Sequence, residues 1–206
     1  MRRQIYRCRP SCLVFAVSLL ILASTSHAQV ELIENSDFEA DSSSVPNDGD
    51  SVTGTPTGWT SSSAAGYYNP DTQYSGGVIP APGSESVACF INGGGSVTQD
   101  VSGHTLTMGV NYTFSVVCGN PSGVVQPSAT GSFETTGGTQ LCGLSCAPDP
   151  SDGTFETRSC NYQETGSNVG QSVRVVLQAT GTATDQSDWD EVSLMTPVEL
   201  LSFSIE

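Results

Sequence analysis

The sequence contains no lysine, and its six basic residues are all arginine. Four of these, Arg2, Arg3, Arg7 and Arg9, crowd the amino terminus, so the chain beyond residue 28 carries two basic side chains, Arg158 and Arg174, against 21 acidic ones, a net of −19. A surface of that sign repels phosphate backbones and argues against nucleic acid as a partner. One histidine, His104, remains beyond residue 28. It sits beside Gly103 in a turn-like stretch with no nucleophile elbow, so a Ser-His-Asp device finds no support. No segment beyond residue 28 is apolar for the ~20 residues that a membrane span needs, and none carries a helical period. With 22 Gly and 11 Pro in the chain, long helices would be costly.

What is present begins with a leader. Four arginines precede the apolar run Leu13 to Ala23, and Ser24-Thr25-Ser26-His27-Ala28 closes it with small residues at 26 and 28. Charged head, apolar middle and small-residue exit make residues 1–28 an expected secretory signal peptide, with the remainder secreted, periplasmic or held at the cell surface. Five cysteines lie beyond the leader: Cys89, Cys118, Cys142, Cys146 and Cys160. An oxidising compartment favours disulfides. Five is odd, so at least one thiol is left free or pairs between chains.

Residues 29–195 read as one β domain, with 196–206 as a tail or terminal strand. Asn111 to Cys118, NYTFSVVC, alternates Tyr112, Phe114, Val116 and Cys118 with Thr113 and Ser115, which is the period of two of a strand. Similar runs occupy 86–91, 96–101, 172–177 and 189–194, and weaker ones 139–142 and 154–159. Gly, Pro, Asn and Asp clusters punctuate them. Asp41 to Gly58 and Ser61 to Gly83 read as loops. Many short strands between turn residues predict an all-β fold, a jelly-roll β-sandwich.

Four segments, in order, resemble a known family. Asn35-Ser36-Asp37-Phe38-Glu39 is similar to the opening motif of galactose-binding-like β-sandwich domains, the carbohydrate-binding modules among them. Pro56-Thr57-Gly58-Trp59, Val110-Asn111-Tyr112-Thr113-Phe114-Ser115 and Asp188-Trp189-Asp190-Glu191-Val192-Ser193-Leu194 are similar to the motifs that follow. The resemblance implies a structural calcium ion held by Glu39 and Asp190, and Trp59 in the core. Parity offers independent support for the ion. Asp190 alternates with Val192 and Leu194, which should face inward, and a buried carboxylate is costly unless paired or bound to metal. Trp189 then faces outward. The clusters Asp185-Gln186-Ser187-Asp188 and Asn47-Asp48-Gly49-Asp50 read as solvated turns.

Sugar rings stack on aromatic planes while polar neighbours bond their hydroxyls. Tyr67, Tyr68 and Tyr74, beside Asn69, Asp71 and Gln73, supply both halves of such a site. The sequence-level expectation is therefore a secreted, non-catalytic sandwich that binds an extracellular glycan and is stabilised by calcium. The alternatives are an extracellular structural protein with no small ligand and, more distantly, a glycoside hydrolase using a carboxylate pair.

Overall fold

The structure is a computed structural model of the chain and describes residues 28–47, 49–62, 64–70, 87–147 and 149–197. The expected leader, apart from Ala28, lies outside the described residues, as do Asp48, Tyr74 and the tail beyond Pro197.

The chain runs β1 (Gln29–Glu31), a 3₁₀ turn (Glu39–Ser44), β2 (Ser51–Thr53), β3 (Thr60–Ser61), β4 (Ala65–Tyr68) and β5 (Ala88–Asn92). It continues through β6 (Ser96–Thr105), β7 (Asn111–Asn120), β8 (Ser128–Thr135), β9 (Gln140–Ser145), β10 (Thr154–Gln163), β11 (Ser172–Thr180) and β12 (Gln186–Pro197). The strands form two antiparallel sheets. The larger has the order β10-β7-β12-β5-β4-β2, with β1 also paired to β12, and the smaller has the order β3-β6-β11-β8-β9. Packed face to face, they make the expected jelly-roll β-sandwich.

The core follows from alternation. Tyr112, Phe114, Val116 and Cys118 on β7 point between the sheets, where they meet Val173, Val175, Leu177 and Ala179 of β11. Each is 2 % exposed or less. Trp59 joins them as expected, its ring 5.5 Å from that of Phe38. Burying side chains of this size contributes roughly 1.5–3 kcal/mol apiece. Two disulfides then lace one side of the sandwich. Cys118–Cys146 and Cys142–Cys160 both tether the β9 region, on the smaller sheet, to the larger sheet, and Cys89 is the free thiol, buried.

Two strands lie where loops were expected. β2 falls within 41–58, and β4 within 61–83. A break within β12 was not expected either. There the register against β7 shifts between Asp190 and Ser193, and Glu191 adopts φ 43°. Such a bulge inserts an extra residue and inverts the alternation beyond it. Val192 and Leu194 point inward as expected, but so does Trp189, fully buried in the core. The outward Trp189 is thus corrected, and Asp188 and Asp190 belong to the opposite, outer face of the larger sheet.

Candidate active site

That outer face is not the wet surface its polar residues suggested. Asp188 and Asp190 are both fully buried. Asp188 is a register partner of Phe90 on β5 and of Gly119 on β7, and Phe90 is in turn opposite Gly66 on β4. One row across the sheet therefore reads Gly66, Phe90, Asp188, Gly119, with Phe155 of β10 beyond. The adjacent row carries Tyr68 opposite Ala88 and Asp190 opposite Val117. Tyr68, Ala88 and Phe90 form an apolar cluster of their own, separate from the core, against which Phe155 packs.

A carboxyl group in such surroundings needs donors. Asp188 Oδ2 accepts the Tyr68 hydroxyl at 2.6 Å, and Oδ1 accepts Gln186 Nε2 at 2.8 Å. Asp190 Oδ1 accepts the backbone N–H of Glu191 at 2.8 Å. Two residues apart on one strand face, the two carboxyl groups arise from positions roughly 7 Å apart. Their charge is felt on the other side of the sheet. The Cys89 thiol is pushed well above its ordinary range, first by burial and then by the fields of Asp188, Asp190 and Asp41. A buried carboxyl group edged by aromatic rings can hold an N–H of a flat molecule and exchange a proton with it, which is general acid–base chemistry in a water-poor setting.

Next to this row a groove of about 320 Å³ runs along β12, lined among others by Ser36, Asp37, Ser115, Val117, Thr157 and Met195. Val117 joins it to the Asp190 row. A larger hollow, about 440 Å³, lies on the other sheet beside Gln99, Asp100 and Arg174. Its charged groups are committed to one another. Arg174 bonds the Thr136 carbonyl and stands 3.6 Å from Asp100 and 3.7 Å from Glu134, so the smaller groove is the one beside reactive chemistry.

A second polar network occupies the far end of the sandwich. Glu164 accepts the Tyr162 hydroxyl at 2.6 Å and the N–H groups of Gly166 and Asn168 at 2.5 and 3.2 Å. The Tyr162 bond, ahead of the backbone donors, holds its carboxyl below the ordinary value. His104, lowered by burial, stands 3.2 Å from the Tyr112 hydroxyl. These groups fix the loops between β10 and β11 and between β6 and β7.

The expected site residues fall as follows. Tyr67 and Tyr68 are buried, 8 % and 5 % exposed, in strand β4. Tyr67 faces the core and Tyr68 faces Asp188, so the two do not make a shelf for a sugar ring. Glu39 accepts the Val87 N–H at 2.8 Å, just ahead of β5. Among the described residues no three His, Cys, Asp or Glu side chains gather as an ion site. Asp188, read as part of a solvated turn, is instead fully buried on this face, as is Asp190. Its signal in the sequence was one carboxylate among 21, on a strand whose parity the bulge conceals.

The fold is shared with cyclases of known structure. A Stig cyclase, Fisc, from Fischerella sp. TAU, in complex with (3Z)-3-(1-methyl-2-pyrrolidinylidene)-3H-indole, is similar with a TM-score of 0.68 at 19% identity, over 84% of this chain and 100% of that one. An apo cyclase from Fischerella sp. gives 0.68 at 18%, over 84% and 98%. A cyclase from Fischerella sp. TAU in complex with 4-(1H-indol-3-yl)butan-2-one gives 0.66 at 19%, over 83% and 100%. No curated protein matches the sequence. Over residues 29–195 the sequence matches the family described as HpiC1-like, HpiC1 cyclase. That match overturns the expectation of a non-catalytic, carbohydrate-binding domain and its glycan partner. The resemblance that suggested them was right about the sandwich but not about the chemistry it carries. The chain belongs to the HpiC1-like family of cyclases.

Proposed function

We propose that the protein is a cyclase that closes a ring on a flat, indole-like substrate, with Asp188 lending and recovering the proton. The observation that carries this reading is the fully buried Asp188 carboxyl group, bonded to the Tyr68 hydroxyl at 2.6 Å within an aromatic cluster. The two Fischerella ligands, both named as indoles, support the substrate class. In the carboxyl form Asp188 gives its proton to an unsaturated carbon of the substrate, and the Tyr68 hydroxyl, a donor to the carboxylate left behind, steadies its charge. Ring closure moves the positive charge. Loss of a proton back to Asp188 then ends the reaction with no net change in atoms. The enclosed face keeps water from trapping the cation.

The test is turnover of an indole bearing an unsaturated side chain, followed by chromatography of the isomeric product. Asp188→Asn should lower the rate by about 10²- to 10⁴-fold, the usual worth of a positioned acid. A rate within about twofold of wild type would contradict the assignment, since a positioned acid is worth far more.

Calcium at Glu39 and Asp190 is a separate proposal. Support comes from Glu39 bonding the segment that leads into β5 and from Asp190 lying on the strand paired with β5. An ion there would draw its remaining oxygens from backbone carbonyls, since calcium takes about six to eight. A melting temperature that moves neither with EDTA nor with added calcium sinks this proposal.

A further inference from the structure

Phe90 stands between Gly66 and Asp188 in its row, so its ring can lean either way. It leans onto Gly66. A β-carbon built there would fall 2.6 Å from Phe90 Cζ and 2.7 Å from Cε1, far inside the ~3.5–4.0 Å at which carbon atoms rest. The far edge of the ring thus occupies the space that a side chain at 66 would fill, and it points away from the carboxyl group. The adjacent row does the opposite. Tyr68 crosses the small Ala88 and delivers its hydroxyl to Asp188 at 2.6 Å. The two rings meet edge to face, centroids 6.2 Å apart. Two large–small pairs, set in opposite directions, bring one aromatic to Asp188 and hold the other off it.

Resting on the reading of Asp188 as the reacting group, we infer that Gly66 is a specificity-determining position. Its missing side chain is the berth that keeps Phe90 clear of Asp188, and so fixes the width of aromatic substrate that reaches the carboxyl group. Any β-carbon at 66 tips the ring toward Asp188 and narrows the approach.

The atom nearest a β-carbon at 66 is the Val52 carbonyl of β2, ahead of the Phe90 ring, so a loss in Gly66→Ala alone is ambiguous. A double-mutant cycle with Phe90→Leu separates the two causes. Indole and carbazole, two N–H aromatics of different width, serve as probes, with affinities from equilibrium fluorescence titration and melting temperatures measured in parallel. Gly66→Ala should weaken carbazole by about tenfold or more, in the range a single methylene commands in a tight pocket, and indole by much less. Gly66→Ala combined with Phe90→Leu should recover carbazole binding. The drop in melting temperature caused by Gly66→Ala should also shrink when Phe90→Leu is already in place. Equal losses for the two probes, or a loss that Phe90→Leu leaves in place, overturns the inference while leaving the Asp188 site intact. Wild-type protein that binds neither probe overturns the aromatic site itself, and the inference with it.

Discussion

The bond between Tyr68 and Asp188 can be weighed directly by Tyr68→Phe. The substitution keeps the ring, so the apolar cluster with Ala88 and Phe90 stays filled and no cavity opens. It removes one hydroxyl, 2.6 Å from an oxygen of a fully buried carboxyl group. A hydrogen bond contributes about 0.5–1.5 kcal/mol. In a domain of this size each kcal/mol moves the melting temperature by about 2–4 °C, so the drop should be about 1–6 °C. Gln186 remains on the other oxygen at 2.8 Å, which keeps the loss to one bond. Calorimetry at neutral pH on wild type, Tyr68→Phe, Asp188→Asn and the double variant gives the coupling. It should exceed the ~0.5 kcal/mol within which independent sites add. A Tyr68→Phe protein that melts with wild type, or single effects that simply add, would refute this arrangement of the site.

Replacing Cys118 and Cys146 by alanine should cost about 3–4 kcal/mol from the loop entropy of a bridge spanning 28 residues, read as a lower denaturant midpoint. Cys89, buried and with its thiol pushed up, should resist maleimide in the native protein and react stoichiometrically in guanidinium; labelling of the native protein at neutral pH would contradict its placement. The melting temperature should fall in two stages on acidification. His104 is lowered from 6.5, so the unfolded chain takes up its proton first and stability declines as pH drops below 6.5; Glu164 is lowered from 4.5, so a further decline begins below 4.5. His104→Gln should remove the upper stage and Glu164→Gln the lower, and a pH profile that neither substitution alters would refute both assignments.

Much of the sandwich was legible because its central strands obey a strict period of two. β7 and β11 place every second residue in the core, and their ranges were readable to within a few residues. β8 was not, because Ser128–Thr135 buries Ala129, Gly131 and Thr135 with a single large residue, Phe133, and small residues leave no hydrophobic alternation to see. β4 hid for a similar reason. Its AGYY is buried on both faces, and a fully buried short strand does not alternate. The site was lost through one residue. Glu191 at positive φ carries no glycine or asparagine signal, yet it reverses the facing of everything before it in β12. With that bulge unseen, Trp189 was expected outward and Asp188 was read as part of a turn. The tyrosine cluster was noticed, but the partner of Tyr68 is a carboxyl group on the same sheet rather than a sugar in solvent.

The claim that the outer face of the larger sheet is the active site is tested most directly by a crystal structure of the protein with 4-(1H-indol-3-yl)butan-2-one. The indole should lie against Phe90 and Tyr68 with its N–H or ketone oxygen within hydrogen-bond distance of Asp188. An indole seated in the Gln99–Arg174 hollow of the other sheet, with the Asp188 face unchanged, would contradict it.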